Sequence, residues 1–412
     1  MASKSREPYS YSPLTASRDI RLVTLHPGTG EQEISLAIKH FSLDESPAYD
    51  ALSYVWGSQY PSYWVSCDNA FLEIGENLRD ALQYLRKPDA ARVLWIDRIA
   101  INQEDLKERA AQVGIMSDIY SSASEVPVWL GRADGGTEQV FLYINDLAQK
   151  MLAFWNSEGS KIPKSGEDPR VLSHPIQYLP VDHPVWLAIR AFLQRPWFSR
   201  VWTFQEIVLA RTPVLICGSS SMKWDMLEAF FLGLMIYPEG PNNEDLRLRG
   251  ADIYLREITK ARLLQHHKDA NHPEITQVRL LKHLNQDSNY SEDTQILLLP
   301  LLDSLRNRQS SDPRDKVFAA LNIAQDIKSS RLSVDYNKSL ADVYIMTAHY
   351  LLRTKRKLSF LSMVEKKDKP DLISWVPDFR YKDAGTFCTN NNRISEVILR
   401  PSTPLEIRML LS

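Results

Sequence analysis

Arg92-Val93-Leu94-Trp95-Ile96-Asp97 is apolar on both faces of an extended chain, the pattern of a strand covered on two sides. Helical spacing from Leu78 to Leu85 precedes it. After it, Asn102 can cap a helix with Asp105 at the third position, and Leu106, Ala110, Val113, Met116 and Tyr120 repeat at helical spacing. Val126-Pro127-Val128-Trp129-Leu130-Gly131 then reads as a short strand, whose Pro127 predicts an edge or strand-start position. Strand and helix in alternation predict an α/β sheet.

Toward the N-terminus, residues 1–18 read as a flexible leader. The segment from Ile20 to Leu43 reads as a β-hairpin edging the first domain, turned at Pro27-Gly28-Thr29-Gly30. A further strand is expected from Tyr49 to Tyr54. Toward the C-terminus, residues 132–180 read as an insertion of loop around one helix, and a helix bearing Trp202 and Glu206 starts near Pro196. Val214-Leu215-Ile216-Cys217-Gly218 closes an α/β domain over residues 19–225.

Beyond residue 225 the pattern is helical, at Met226 to Leu234, Leu246 to His266, Ile275 to Leu284, Ile296 to Arg306, Lys316 to Ile323 and Leu340 to Leu352. Residues 226–380 are therefore expected as a mainly helical region, with a helix entry at Asp312-Pro313-Arg314-Asp315-Lys316 and an extended Ser374-Trp375-Val376-Pro377-Asp378. Residues 381–412 read as an irregular or truncated tail.

The chain of 412 residues carries 49 basic and 51 acidic side chains, a net charge of -2, so no global field draws it to nucleic acid. Its three cysteines, Cys67, Cys217 and Cys388, are too few and scattered for a disulfide framework or a zinc site, which points to a reducing cytoplasmic compartment. No signal peptide or membrane span is expected; the longest apolar patch, Met226 to Tyr237, contains Glu228. Gly28-Thr29-Gly30 lacks a third glycine, so neither a dehydrogenase fingerprint nor a P-loop is present. His266, His267 and His272 have no converging carboxylate or cysteine pattern, and no metal or required cofactor is expected.

Trp202 and Glu206 lie four residues apart, so on a helix the indole and the carboxylate share a face. The bland alternative puts Trp202 in the core and pairs Glu206 with Arg200 or Arg195 at the helix surface. Ser53, Tyr54, Trp56 and Gly57 fall at the carboxyl end of a strand, where open α/β sheets place ligand crevices; packing and a glycine turn are the alternative. Asp97 and Arg98 end the buried strand, where Asp97 either orients a ribose hydroxyl or accepts loop N–H groups, and Arg98 can meet a phosphate. Gln103, Glu108 and Arg109 read as a solvated or interhelical polar set.

Three blocks together resemble the fungal heterokaryon incompatibility (HET) domain. They are Tyr49-Asp50-Ala51-Leu52-Ser53-Tyr54-Val55-Trp56-Gly57; Leu94-Trp95-Ile96-Asp97-Arg98-Ile99-Ala100-Ile101-Asn102-Gln103, running on to Glu108-Arg109, Gln112 and Met116; and Arg195-Pro196-Trp197 to Gln205-Glu206. Ala100 departs from the family, which commonly has cysteine there. The resemblance implies an effector of non-self recognition and programmed cell death, an innate-immunity role, in a fungal cytoplasm. More distantly, Tyr49 to Tyr54 and Trp202 to Glu206 are similar to two boxes of TIR domains, whose glutamate cleaves NAD+. That likeness implies a TIR-like, flavodoxin-like, mostly parallel sheet, with NAD+ as substrate, Glu206 as catalytic residue, and Ser53, Tyr54, Trp56, Gly57, Asp97, Arg98 and Trp202 around the nucleotide. Nicotinamide leaves as a neutral molecule, so one carboxylate suffices to oppose the ribosyl cation. The rival reading is a non-enzymatic module that signals by self-association, with an unidentified fungal recognition partner.

Overall fold

The computed structural model describes residues 7–30, 32–157, 177–180, 182–236, 251–266, 295–327, 332–355, 358–364 and 372–380. Among them, strands β1 (Asp19–Leu25), β2 (Ser35–Ser42), β3 (Asp50–Ala51), β4 (Ser53–Tyr54), β5 (Ser62–Cys67), β6 (Ala70–Gly75), β7 (Arg92–Trp95), β8 (Val126–Trp129), β9 (Pro213–Cys217) and β10 (Ser220–Lys223) form two sheets. One runs in the order β3-β7-β1-β2-β5-β6, the other β10-β9-β8-β4. The expectation of one mostly parallel sheet is corrected. β2 with β5, β3 with β7, β4 with β8 and β8 with β9 are parallel, while β1 with β2, β1 with β7, β5 with β6 and β9 with β10 are antiparallel.

The expected hairpin of β1 and β2 forms, with Leu25 opposite Leu36, but it does not edge the domain. β1 is paired on both sides, and its residues are buried almost throughout, Arg21 included. A second hairpin, β5 with β6, escapes the sequence reading. The predicted strand from Tyr49 to Tyr54 splits at Leu52 and connects the two sheets. Ala51 N donates to Glu125 O at 3.0 Å, and Leu52 N donates to Trp95 O at 2.9 Å. β8 lies between β4 and β9, so of the two positions expected for Pro127 it takes the one near the strand start, as the second residue of an interior strand. Its neighbour Val126 N reaches Thr212 O at 3.0 Å.

Helices α1 (Glu76–Leu85), α2 (Asp97–Ala100), α3 (Leu106–Gly114), α4 (Met116–Ser122), α5 (Thr137–Ser157), α6 (Pro184–Leu193), α7 (Trp202–Leu209), α8 (Trp224–Ile236) and α9 (Ala251–Gln265) complete the first unit. Leu78, Ala81, Leu82 and Leu85 of α1 recur at helical spacing and join Val23, Leu36, Leu94 and Trp129 in one core. The single helix expected from Asn102 onward is two. Asp105, not Asn102, caps α3, accepting from Lys107 N at 2.9 Å and Glu108 N at 3.1 Å, and the helix breaks at Ile115.

Residues 137–157 are also more than an insertion. Val140, Phe141, Ile144, Leu147, Ala148 and Met151 of α5 are buried, and the helix packs on α6 and α8. The helix expected from Pro196 is a 3-10 turn, Pro196–Ser199, followed by α7.

Nor is the stretch before residue 18 a loose leader over residues 7–12. Tyr9 N and Phe71 N exchange backbone bonds with Phe71 O and Glu7 O at 2.8 and 2.9 Å, and the Tyr11 hydroxyl donates to Ile99 O at 3.0 Å.

The chain divides into two compact units, Met1–Ile296 and Leu297–Ser412, so α8 and α9 belong with the sheets rather than with a helical half beginning at 226. The second unit holds α10 (Leu298–Arg306), α11 (Asp315–Leu321) and α12 (Leu340–Lys355). Asp326 Oδ1 accepts from Leu298 N at 2.8 Å at the start of α10, and the Tyr336 hydroxyl donates to Asp315 at 2.8 Å. The predicted helix entry at Asp312 is present, with Asp312 Oδ1 accepting from Arg314 N at 3.0 Å. Ser374 to Asp378 is turned rather than extended. The expected helix from Ile275 to Leu284 and the tail of 381–412 lie outside the described residues.

Gly218 closes the β9–β10 turn at φ 56°, and a Cβ there would stand 2.7 Å from Ala133 Cβ and 2.9 Å from Ala133 N. Both the left-handed backbone and the overlap with main chain oppose any side chain. Gly218→Ala is expected to destabilise the first unit by about 2 to 4 kcal/mol, read as a lower urea midpoint at unchanged slope.

Candidate functional site

Ser53 ends up against Glu206, 153 residues further along the chain, and its hydroxyl is hydrogen-bonded to the carboxylate. β4 supplies Ser53, which is fully buried, and α7 supplies Glu206, at 3 % exposure. A third buried group orders the pair. Trp197 Nε1, in the 3-10 turn before α7, lies 2.8 Å from Ser53 Oγ. An indole N–H can only donate, so Ser53 accepts from Trp197 and its single hydroxyl proton points to Glu206 Oε2. The direction of the chain Trp197 to Ser53 to Glu206 is therefore set by chemistry.

Burial pushes the Glu206 carboxyl up to about 7, opposed by the Arg200 guanidinium and the Ser53 hydrogen bond and reinforced by nearby Asp97. The surface ion pair considered for Glu206 does not form. Arg200 donates to Tyr54 O and acts on Glu206 only through space, while Arg195 is committed to Leu130 O at 3.0 Å and Asp134 at 2.8 Å.

Asp97 begins α2 where β7 ends, and its carboxylate accepts from Trp56 Nε1 at 2.8 Å and Arg98 N at 2.6 Å. Burial raises its pKa, with Arg200 and the Trp56 hydrogen bond opposing. Gln103 Nε2 donates to the Asp97 carbonyl at 2.9 Å, binding the loop to the strand end. Arg98 lies over the Trp56 ring, 5.6 Å from its centroid. The Tyr54 hydroxyl is buried without a hydrogen-bond partner, and burial, with Asp97, drives its pKa well above the phenol range.

Of the residues singled out in the sequence, Ser53, Tyr54, Asp97 and Glu206 thus share one electrostatic environment, and Trp56 and Arg98 attach to it through Asp97. Gly57 is exposed at φ 65°, a turn residue after the strand end. Trp202 opens α7 one turn before Glu206 and is part-exposed. Trp197 is the addition: it lies in the block that includes Glu206, but a continuous helix from Pro196 would turn it elsewhere. His266, considered for metal, instead faces Val208 O at 2.9 Å, and His267 and His272 lie outside the described residues. Among the described residues no helix is long and apolar enough to cross a membrane.

Ser53→Ala strips Glu206 of a donor and leaves Trp197 Nε1 with no acceptor. It is expected to cost about 1 to 3 kcal/mol and to move the Glu206 titration above pH 7, which the pH dependence of the urea midpoint reports.

The molecule is thus an α/β protein with a buried, internally oriented carboxylate at the ends of its parallel strands. The sequence profile of the heterokaryon incompatibility protein (HET) family matches residues 49–206, an interval that contains the residues of this site from Ser53 to Glu206. Over those residues the chain is similar to the fungal HET-domain proteins. It is similar to heterokaryon incompatibility protein 6, OR allele, of Neurospora crassa, at 28% identity over 428 residues that cover 90% of this chain and 59% of that protein. The chain therefore spans about three-fifths of the length of the curated relative it matches. No solved structure matches it.

Proposed function

We propose that this chain acts in heterokaryon incompatibility and that its HET domain cleaves the nicotinamide glycosidic bond of NAD+. The carrying observation is Glu206: a carboxylate held out of water, aimed by Ser53, with its titration near pH 7. As nicotinamide departs as a neutral molecule, positive charge develops on the ribosyl carbon, and ionised Glu206 opposes it in a poorly solvated site. Water then adds to that carbon, giving ADP-ribose and a proton.

Arg98 over Trp56 supplies a cation and an aromatic face for the nucleotide, and the unpartnered Tyr54 hydroxyl is a donor for a substrate oxygen. The TIR likeness around Tyr54 and Glu206 supports the reaction class. In this reading the protein works in the fungal cytoplasm, self-associates through its HET domain, and triggers cell death when a recognition partner engages it.

The test is nicotinamide release from NAD+ by concentrated full-length protein, with Glu206→Ala beside it and assembly measured in the same samples. Release by the wild type alone supports the enzyme. Assembly with release from neither overturns it in favour of a non-enzymatic signalling module.

A further inference from the structure

α7 is eight residues long, and its last carbonyls have no partners within the helix. They are taken by α9. Arg262 Nη1 donates to Ile207 O at 2.6 Å and to Ala210 O at 2.8 Å, and His266 Nε2 lies 2.9 Å from Val208 O. Arg262 is 7% exposed, and its guanidinium also meets α8, with Asp225 at 3.5 Å and Glu228 at 3.8 Å. One nitrogen, Nη1, holds both carbonyls, while the rest of the planar group keeps its charge beside the two carboxylates. At the other end of α7, the N-cap Val201 makes no side-chain capping hydrogen bond.

Ile207 directly follows Glu206. We propose that Arg262 is a positioning residue for Glu206: by gripping the Ile207 and Ala210 carbonyls it holds the turn that keeps the carboxylate against Ser53. The working unit then extends beyond the matched residues 49–206 to include α9. The consequence for turnover rests on the NAD+-cleavage reading; the placement of the carboxylate does not.

Two readouts separate these. In full-length protein, the urea stability difference between wild type and Glu206→Gln is measured at pH 5 and pH 8, with Arg262 intact and with Arg262→Met. Glu228, whose carboxyl burial raises to about 7 against the opposition of Arg262, can protonate when Arg262 is removed, and its contribution cancels between the two Glu206 forms. If Arg262 positions Glu206, the loosened α7 lets water reach the carboxylate, and the pH-dependent part of the difference falls by more than about half. An unchanged difference overturns the proposal.

In parallel, Arg262→Met is expected to lower kcat for nicotinamide release by about 100-fold with a far smaller change in KM, the scale of a misplacement near 1 Å. A wild type that releases no nicotinamide defeats the catalytic reading and leaves the stability cycle standing. Should Arg262→Met not fold, Arg262→Gln carries the same cycle, since its amide nitrogen sits two bonds short of the position from which Nη1 holds the Ile207 and Ala210 carbonyls.

Discussion

Glu206→Gln is expected to reduce nicotinamide release by about 100- to 1,000-fold at pH 8, and in the same step to make the protein more stable there. Both effects have one source. Burial holds the Glu206 carboxyl at about 7, whereas an unfolded glutamate titrates near its ordinary value of 4.5. Between those values the folded protein retains a proton that the unfolded chain has released, so stability falls as pH rises from about 4.5 to about 7. Below the window both states are protonated and the carboxyl contributes nothing; above it both are ionised and the full penalty applies, about 3 kcal/mol. Glutamine has no such window.

The stability difference between the variant and the wild type should therefore grow in the variant's favour from pH 5 to pH 8. Any fixed cost of fitting the amide beside Ser53 cancels in that comparison. Wild-type turnover should rise with pH through about 7 as Glu206 ionises, while the residual turnover of the variant stays flat. A variant that keeps wild-type turnover removes Glu206 from the chemistry. A pH-independent stability difference removes the buried, neutralised carboxyl.

The second large effect lies in the network that attaches the N-terminal segment. Arg21, on β1, has no exposed surface, and all five of its N–H donors are used: Glu108 at 2.6 and 2.9 Å, Ala100 O at 2.9 Å, Ser12 O at 2.6 Å and His40 Nε2 at 3.2 Å. Glu108 also accepts from Asn102 N at 2.7 Å, so the polar set suspected around Glu108 is in truth a buried ion pair joining α3 to β1. Glu108→Ala leaves a buried guanidinium without a counter-charge and is expected to cost about 3 to 5 kcal/mol. Replacing both partners with methionine should recover most of that loss, because removing a buried pair together also removes its desolvation cost. Equal losses in the single and double variants would show that packing, not charge, dominates here. Loss of the Ser12 and Ala100 contacts should also expose residues 7–12 to proteolysis.

Local patterns carried much of the first unit. The two-faced apolar run at β7, the helical spacing of α1, the strands of the β1–β2 hairpin and the carboxylate on α7 all follow from side-chain period over a few residues. Pairing across the sheets does not follow from it. Two-residue strands such as β3 and β4 are too short to show a period, and their sheet assignment turns on which neighbours their N–H groups reach. The break at Ile115 and the 3-10 turn before α7 escape for a similar reason: apolar spacing continues across both while the backbone does not.

The amino-acid sequence by itself determined the strand and helix alternation, the resemblance to the HET domain and the identity of the candidate carboxylate, because these reside in contiguous blocks between Tyr49 and Glu206. Only the tertiary structure decided how that carboxylate is held. Ser53 and Glu206 are 153 residues apart, Trp197 and Ser53 are 144, and Arg262 reaches Ile207 across 55. Burial and hydrogen-bond direction are properties of groups brought together from distant segments, and they alone convert an ordinary glutamate into one that titrates near neutrality.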